Sequence, residues 1–345
     1  MLPRLVSLAT AVPPIRIDQR AIEVAAETIF ASRAADFDRL RPIYGNSGIA
    51  GRQSCVPLSW YAQPHGWRER HDLFVTHGLE LLESAIAECL AQVRLTPAAI
   101  DGVVVVSSTG MTAPSLDARL MERIAFRRDL QRLPVFGLGC AGGVIGLARA
   151  AALARAHPGE RWLLLVVELC GLTFRQDDQS NGNIVATALF GDGAAAALLC
   201  SEGDGPLFRA GGEYTWPGTL DVMGWDIEDD GFGVIFGREI PALVRRDFRE
   251  ATERFLARSG LLLSDIDRFV LHPGGAKVID ALRDALGVPA AALSVAREVL
   301  REFGNMSAAT ILFVLQRSLT ASPAGTMLLA ALGPGFSAGF GILEA

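Results

Sequence analysis

A cysteine, a histidine and an asparagine each stand in a separate glycine-bracketed turn of this chain. They are Cys140 in the segment GCAGG, His272 in HPGG and Asn305 in GNMS. A thiolate attacks thioesters, an imidazole pairs with it electrostatically, and a side-chain amide donates a hydrogen bond to the charge that develops on a substrate oxygen. Together the three residue types predict a catalytic site that transfers acyl groups.

The position of Cys140 favours a reactive thiol. An apolar run at residues 133–138 precedes it and a small-residue segment at 144–151 follows, which predicts a strand-to-helix turn. Amides at a helix N-terminus stabilise a thiolate, so we expect this thiol to ionise near neutral pH. Taken singly, each of the three residues also has an ordinary explanation: a small buried cysteine, a turn histidine that caps backbone, or a helix N-cap asparagine.

The elements that must position these residues occur twice. Each half has a helix and a short strand, then the cysteine or asparagine turn, a small-residue helix and a buried strand. In chain order these elements are at 73–93, 103–106, 141–156 and 162–167 in the first half, and at 241–257, 269–271, 306–319 and 326–332 in the second. Continuous apolar strands require a sheet covered on both faces. We therefore predict an α/β fold of two duplicated halves, residues 1–205 and 206–345, that meet at the site.

Composition excludes several other classes of protein. With 345 residues, half of them hydrophobic, the chain can bury a large core. Five cysteines without paired spacing or a histidine cluster indicate a reducing, cytoplasmic compartment and no metal site. A net charge of −6 argues against nucleic acid as a partner, and no apolar run is long enough to span a membrane. Residues 191–193 (GDG) lack the context of a dinucleotide site, so we expect no cofactor.

Motifs along nearly the whole chain resemble those of the type III polyketide synthases, the chalcone synthase-like branch of the thiolase-fold condensing enzymes. The matching segments are residues 5–14, 139–140, 168–175, 188–194, 272–275, 304–307 and 333–336. The resemblance implies a thiolase-like fold of five αβαβα layers. It also implies acyl-CoA and malonyl-CoA as substrates and a decarboxylative condensation on Cys140, with His272 and Asn305 as donors to the extender's thioester oxygen.

The resemblance also implies roles around these three residues. Phe190 corresponds to a gatekeeper aromatic between the coenzyme A tunnel and the cavity, although a core aromatic beside a tight turn is the other interpretation. Thr173 and Ser307 lie in matched motifs and are expected to contact substrate. Four arginines flank the turn at 46–49, where family members bind the phosphates of coenzyme A; they are Arg33, Arg39, Arg41 and Arg52. We expect Arg39 and Arg41 to do so, on a partial match; a solvated helix face is the alternative.

Departures from the plant members indicate the product class. Cys170 replaces a threonine, Ala113 replaces a methionine that crosses the dimer interface, and Val234 stands at a second gatekeeper aromatic. Thr109, Ala113 and Cys170 resemble the bacterial branch in which a long acyl tunnel accepts fatty acyl starters to give alkylpyrones or alkylresorcinols. Packing of the core is the alternative role for Thr109 and Cys170. The resemblance further implies a homodimer that buries the loop 109–114.

Three other activities remain open from the sequence. A ketoacyl synthase III-like enzyme of fatty acid synthesis would use the same three residues but would need an acyl carrier protein. A cysteine-dependent acyl-CoA thioesterase would release free acid without consuming malonyl-CoA. A non-catalytic acyl-CoA binding protein of the same fold would bind the thioester and turn nothing over.

Overall fold

The computed structural model describes residues 2–321 and 324–345. The strands are β1 Arg4–Ala11, β2 Ile15–Asp18, β3 Gly51–Ser54, β4 Gly102–Ser107, β5 Gln131–Phe136, β6 Trp162–Leu169, β7 Asp192–Cys200, β8 Leu207–Thr215, β9 Met223–Glu228, β10 Gly231–Phe236, β11 Arg268–Leu271, β12 Thr326–Gly333 and β13 Ser337–Glu344. The helices are α1 Gln19–Ile29, α2 Ala34–Leu40, α3 Pro42–Asn46, α4 Trp67–Gln92, α5 Leu116–Leu120, α6 Gly142–Ala156, α7 Asn181–Leu189, α8 Ile240–Arg258, α9 Ala276–Leu286, α10 Ser294–Phe303 and α11 Thr310–Ala321.

The sheet topology repeats, as the sequence predicts. Nine strands are ordered β11-β12-β13-β8-β1-β7-β6-β4-β5. In the first half β4 pairs parallel with β6, which pairs antiparallel with β7, which pairs antiparallel with β1. In the second half β11, β12, β13 and β8 repeat this pattern of parallel, antiparallel and antiparallel pairing. A single residue pair, Arg4 with Leu207, joins β1 to β8.

Helices and sheets alternate in five layers, which confirms the predicted αβαβα arrangement. Helix α4 packs on one face of β4, β6 and β7. The opposite face of these strands packs on α6 and α11, which also cover one face of β12. Helices α8, α9 and α10 cover the outer face of the second half. Strands β4, β6 and β7 are buried at every position because both faces are covered, which explains their largely apolar sequences.

The predicted elements exist, with shifted ends. Helix α4 begins at Trp67, six residues before the expected start, and β6 continues two residues past 167 to Leu169. The apolar run at 133–138 forms β5, yet this strand is the edge of the sheet and most of its residues are exposed. None of the described helices combines the length and apolarity that a membrane span requires.

The two central helices approach each other more closely than side chains normally allow. A Cβ atom at Gly143 of α6 would clash with the carbonyl oxygen of Ala308, in the turn that leads into α11. A Cβ at Gly142 would lie 2.8 Å from a methyl carbon of Val106 and 3.3 Å from the Cβ of Ala308. Small residues at the start of α6 therefore let the cysteine turn of the first half contact the asparagine turn of the second half.

Candidate active site

Cys140 lies at the N-terminal end of a helix. It is the middle residue of a 3-10 turn, Gly139–Ala141, that continues directly into α6. Gly139 has a φ of +46° and its amide donates to the Ser108 hydroxyl at 2.8 Å. A Cβ at Gly139 would lie 2.5 Å from the ring of Pro334, so both conformation and space require glycine. This turn fixes Cys140 where the sequence predicts it.

His272 follows the last residue of β11. Its backbone amide donates to the carbonyl of Ala330 at 2.9 Å, which extends the pairing of β11 with β12 by one residue. The side chain is 4 % exposed, and neither ring nitrogen has a hydrogen-bond partner among the described residues. Buried polar atoms are rarely left unpaired in a folded protein, so the ring is a good candidate to bind a ligand.

Asn305 is held by its backbone and by its side chain. Its amide Nδ2 donates to the carbonyl of Gly274 at 3.3 Å, and Oδ1 accepts from the Ser307 amide at 2.9 Å. Oδ1 also lies 3.9 Å from the Cys140 sulfur. An amide nitrogen carries two hydrogens, so Nδ2 retains one donor for a substrate oxygen.

One cavity brings these residues together. Cys140, His272 and Asn305 all line it, although they come from both halves of the chain. Four other residues singled out from the sequence line the same cavity: Cys170, Phe190, Val234 and Ser307. The lining is mostly apolar, so a polar reacting group there would meet few competing hydrogen-bond partners.

Burial changes the expected state of the thiol. It raises the pKa of Cys140 to about 12, although hydrogen bonds from its surroundings lower it in part. Burial also lowers the pKa of His272 to about 3. The sequence predicts a thiol that ionises near neutral pH and pairs with His272; in this structure burial favours the neutral form of each group. Transfer of the thiol proton to the imidazole creates both charges at once, and their attraction offsets part of the desolvation cost. We therefore expect the thiolate to form as an ion pair with the His272 imidazolium.

A buried carboxyl group stands behind the cysteine. Glu168, at 0 % exposure, accepts from the Thr109 hydroxyl at 2.7 Å and from the Ser108 amide at 3.0 Å. Desolvation raises the pKa of Glu168 to about 7, and these hydrogen bonds oppose the rise. The charge of Glu168 in turn raises the pKa of Cys140. The sequence places Glu168 in a motif but does not show that its side chain is buried.

A second apolar cavity adjoins the first. Cys170 and Phe190 line both cavities, and Thr173 lines only the second of them. Its far wall is helix α1, which contributes Ile22, Ala25, Ala26 and Ile29. The sequence predicts no such wall, because the contact joins segments about 150 residues apart.

Two residues predicted to line an acyl tunnel lie elsewhere. Thr109 is buried, but it lines neither cavity; its hydroxyl bonds to Glu168 and accepts from the Leu169 amide at 3.0 Å. It borders a separate, smaller cavity together with Thr173. Ala113 is exposed and lines none of these cavities. The structure therefore groups Cys170 with the site and leaves Thr109 and Ala113 outside it.

The predicted coenzyme A arginines have acidic partners. Arg39 is exposed and pairs with Asp36 at 3.1 Å. Arg41 pairs with Glu23 at 2.8 Å and with Glu27 at 3.1 Å. Of the four arginines near this turn, Arg52 is buried rather than at the surface. A bound phosphate at Arg39 or Arg41 would have to compete with these carboxylates.

Two residues at the site were missed by sequence reasoning. Trp225 lines the catalytic cavity, and its indole donates to the carbonyl of Ser108 at 2.8 Å. It faces Val234 across the β9–β10 hairpin, a pairing that the Asp-Asp-Gly turn at 229–231 could have indicated. Lys277, the single lysine of the chain, is exposed between cavity-lining Gly274 and Val278. No acidic partner of Lys277 is found in the described part of the chain.

Comparison with known proteins gives consistent matches over the chain. Residues 60–203 match the N-terminal domain of chalcone and stilbene synthases, and residues 210–342 match their C-terminal domain. A putative chalcone synthase of Bacillus subtilis is 39 % identical over 96 % of each chain. The 1,3,6,8-tetrahydroxynaphthalene synthase of Streptomyces peucetius is 39 % identical over 97 % of this chain and 91 % of its own length.

Two further relatives bear on the product and on the fold. The alpha-pyrone synthesis polyketide synthase-like Pks18 of Mycobacterium tuberculosis is 28 % identical over 86 % of this chain and 80 % of its own. The crystal structure of 1,3,6,8-tetrahydroxynaphthalene synthase from Streptomyces coelicolor, a bacterial type III polyketide synthase, superimposes with a TM-score of 0.94 at 26 % identity over 99 % of both chains.

An ion pair between Cys140 and His272 predicts that removal of His272 changes the pH dependence of Cys140 alkylation. Burial by itself raises the pKa of the Cys140 thiol. We therefore expect a thiolate near neutral pH only where its proton has moved to His272 and formed an imidazolium. We expect His272→Ala to shift the pH profile of Cys140 alkylation upward by at least about one unit, which corresponds to about 1.4 kcal/mol of lost interaction. Iodoacetamide labelling followed by mass spectrometry measures the rate. His77→Ala, at a surface histidine paired with Glu80, is the control; superimposable profiles for all three proteins would contradict the coupling.

Proposed function

Because the chain belongs to the chalcone and stilbene synthase family, we propose that it extends a long-chain acyl starter with malonyl-CoA to an alkylpyrone or alkylresorcinol. It is a type III polyketide synthase, an acyltransferase-type condensing enzyme that uses malonyl-CoA. One observation carries the long-chain proposal: an apolar cavity against α1 adjoins the catalytic cavity at Cys170 and Phe190.

The chemistry divides between the two halves of the site. The thiolate of Cys140 attacks the starter thioester and expels coenzyme A, whose thiolate takes up the proton that His272 received from Cys140. Malonyl-CoA then loses carbon dioxide, and the electron pair of the broken carbon–carbon bond becomes an enolate with charge on the thioester oxygen. The free hydrogen on Asn305 Nδ2 and an N–H of His272 are the proposed donors to that oxygen. Loss of one such donor typically costs about 3 to 4 kcal/mol of barrier.

Condensation completes the cycle. The enolate carbon attacks the acyl thioester on Cys140, forms the new carbon–carbon bond and expels the Cys140 thiolate. The lengthened chain returns to Cys140 for each further extension. This sequence consumes only coenzyme A thioesters, so we propose no other cofactor. Ser307, whose amide donates to Asn305 Oδ1, keeps that oxygen turned toward Cys140 and so leaves Nδ2 for substrate.

The second cavity supports an aliphatic tail as its occupant. Its wall on α1 consists of isoleucine and alanine, and each methylene buried against such a surface contributes about 0.8 kcal/mol. Trp225 and Phe190, whose ring centroids are 6.3 Å apart, both line the catalytic cavity, and Phe190 with Cys170 also lines the second cavity. A tail attached at Cys140 would therefore pass Cys170 toward α1. Thr173 lines this route, whereas Val234 lines only the catalytic cavity.

Relatives support two product classes. The name of the Mycobacterium relative refers to an alpha-pyrone, whereas the Streptomyces relatives are named for tetrahydroxynaphthalene, which has no alkyl chain. The apolar cavity against α1 favours an alkyl product for this chain. Neither the ketoacyl synthase III-like nor the thioesterase alternative is favoured by the relatives.

Coenzyme A recognition is proposed at the mouth of the catalytic cavity. Lys277 stands in the first turn of α9, where backbone amides and the helix dipole also favour a negative group. Arg39 and Arg41 remain proposed phosphate ligands, which would exchange Asp36, Glu23 and Glu27 for phosphate oxygens. Lys277 has no carboxylate to displace within residues 2–321 and 324–345, so we propose it as the main phosphate ligand.

The tail cavity predicts which starters are used. Purified protein is given malonyl-CoA and a ladder of acyl-CoA starters from acetyl to stearoyl, and products are identified by mass spectrometry. We expect alkylpyrones or alkylresorcinols, with long starters preferred. Ala25→Phe should shift the preference toward short starters by about tenfold, because two lost methylene sites are worth about 1.6 kcal/mol.

The controls separate a filled cavity from a damaged core. Ala21→Phe lies on the exposed side of α1 and should leave the preference unchanged. Cys170→Phe fills the junction and should act like Ala25→Phe. Overpacking of a core costs about 1 to 3 kcal/mol and would depress all starters together. Refusal of long starters by the wild type, or an even loss across the ladder in Ala25→Phe, would remove the long-chain proposal.

A homodimer is proposed through the exposed edge of the large sheet. Strand β5 pairs only with β4 in the described chain, and its Leu133 and Phe136 are 37 % and 44 % exposed. Met111, in the loop that family members bury against a partner, is 46 % exposed. An apolar edge strand is normally covered in solution. Exposed Ala113 would then face the partner subunit rather than its own cavity.

This proposal predicts the mass in solution. Sedimentation at micromolar concentration should give twice the chain mass, and Leu133→Lys should shift the equilibrium toward monomer because it buries a charge at the β5 edge. Leu262→Lys changes a leucine that is 67 % exposed on another surface and should remain dimeric. A monomeric wild type, or equal behaviour of the two variants, would contradict an interface at β5.

A further inference from the structure

Arg52 is a buried cation that no carboxylate neutralises directly. It lies on β3, is 5 % exposed, and takes part in no ion pair among residues 2–321 and 324–345. Its guanidinium instead donates to backbone: Nη1 to the carbonyls of Thr187 at 2.9 Å and Phe190 at 2.7 Å, and Nη2 to that of Ala188 at 3.0 Å. Nη2 also donates to Gln19 Oε1. Nothing in the proposed reaction uses this residue.

The carbonyls that Arg52 binds are those at the C-terminal end of α7. The last carbonyls of a helix have no partner within it and carry its negative dipole end, which favours a cation. The carbonyl of Leu189, which lies between those that Arg52 binds, accepts from the backbone amide of Asn305 at 2.8 Å. Arg52 and Asn305 thus bind to the same end of the same helix.

Phe190 and Asn305 are joined directly as well. They form an isolated parallel bridge, in which Asn305 binds Leu189 and the Gly191 amide donates to the Asn305 carbonyl at 2.9 Å. The backbones are so close that a Cβ at Gly304 would lie 2.8 Å from the Leu189 carbonyl oxygen. The Cβ of Arg52 would be 3.2 Å from a Cβ at Gly191 and 3.6 Å from one at Gly304. Arg52 therefore packs directly against the backbone bridge between Phe190 and Asn305.

We propose that Arg52 is a positioning residue that sets the Asn305 amide and the Phe190 ring through this shared backbone. Its planar guanidinium donates to three carbonyls of the segment 187–190. The same segment is hydrogen-bonded to the backbone of Asn305. Displacement of a donor by about 1 Å can cost a hundredfold in rate, so a small shift of the bridge is enough to affect the reaction. The inference rests on the proposed role of Asn305 in decarboxylation.

The geometry explains why arginine is required. Burial lowers the pKa of Arg52 to about 10, which leaves it charged at neutral pH. An apolar side chain of the same size would leave the carbonyls of Thr187, Ala188 and Phe190 without their donor, at about 1 to 3 kcal/mol for each group. A lysine keeps the charge, but its ammonium is a compact point charge and lacks the rigid fork that fits several carbonyls.

The experiment compares two half-reactions in Arg52→Lys. Acetylation of Cys140 by acetyl-CoA is followed by intact-protein mass spectrometry, and carbon dioxide release from malonyl-CoA is measured separately, both per folded protein. We expect carbon dioxide release to fall about tenfold to a hundredfold and acetylation to fall less than about threefold. The matched control is Arg268→Lys, since Arg268 also donates to backbone carbonyls, those of Ser318 and Ala324, at the opposite end of β11 from His272. Its half-reactions should keep the wild-type ratio.

Each outcome decides the inference. Wild-type rates in Arg52→Lys, or an equal loss of both half-reactions, would overturn it. If Arg52→Lys does not fold, Arg52→Ala is assayed with methylguanidinium, which can enter the cavity that Arg52 lines, and with methylammonium as control. Recovery of decarboxylation by methylguanidinium alone supports positioning; no recovery, or no folded protein, overturns it. Absence of decarboxylation in the wild type would instead overturn the proposed function.

Discussion

The structure depends on backbone contacts between the two halves that are too close for side chains. Gly143 faces the Ala308 carbonyl, Gly191 faces the Phe303 carbonyl, and Gly304 faces the Leu189 carbonyl. At each point a Cβ would collide with backbone rather than with a movable side-chain end. These contacts fix the start of α6 against the asparagine turn. For this reason a cysteine from the first half lies 3.9 Å from an asparagine oxygen of the second half.

The same close packing buries most polar groups of the site, and its chemistry follows from that. Desolvation is the largest cause of the pKa shift in each of three groups. It raises the pKa of Cys140 and of Glu168 and lowers that of His272. Charges in such a site cost most when they form singly and least when they form as pairs or beside aligned donors. The enolate charge would be stabilised by the few donors present, Asn305 Nδ2 and the His272 ring. In its proposed role, Arg52 holds the backbone segment that positions the Asn305 amide.

Sequence reasoning predicted what depends on local pattern and failed where long-range contact decides. The duplicated α/β halves and the grouping of Cys140, His272 and Asn305 followed from turns and apolar runs, and the αβαβα layering from the resemblance to type III polyketide synthases. The exposure of β5 did not, because an apolar strand at a sheet edge has the same sequence as a buried one. Thr109 was assigned to a tunnel, yet its hydroxyl bonds to Glu168, a contact between residues 59 positions apart. The ionisation of Cys140 was expected from the helix terminus and from pairing with His272, whereas burial, which a sequence does not display, opposes it.

In the proposed mechanism, the second half of the site breaks the malonyl carbon–carbon bond independently of the nucleophile. Carbon dioxide release from malonyl-CoA is measured for Cys140→Ala and for the Cys140→Ala/Asn305→Ala double variant. We expect no polyketide but continued slow decarboxylation in the single variant, and a further loss of about a hundredfold or more in the double variant. Polyketide formation by Cys140→Ala, or equal carbon dioxide release from both variants, would contradict it.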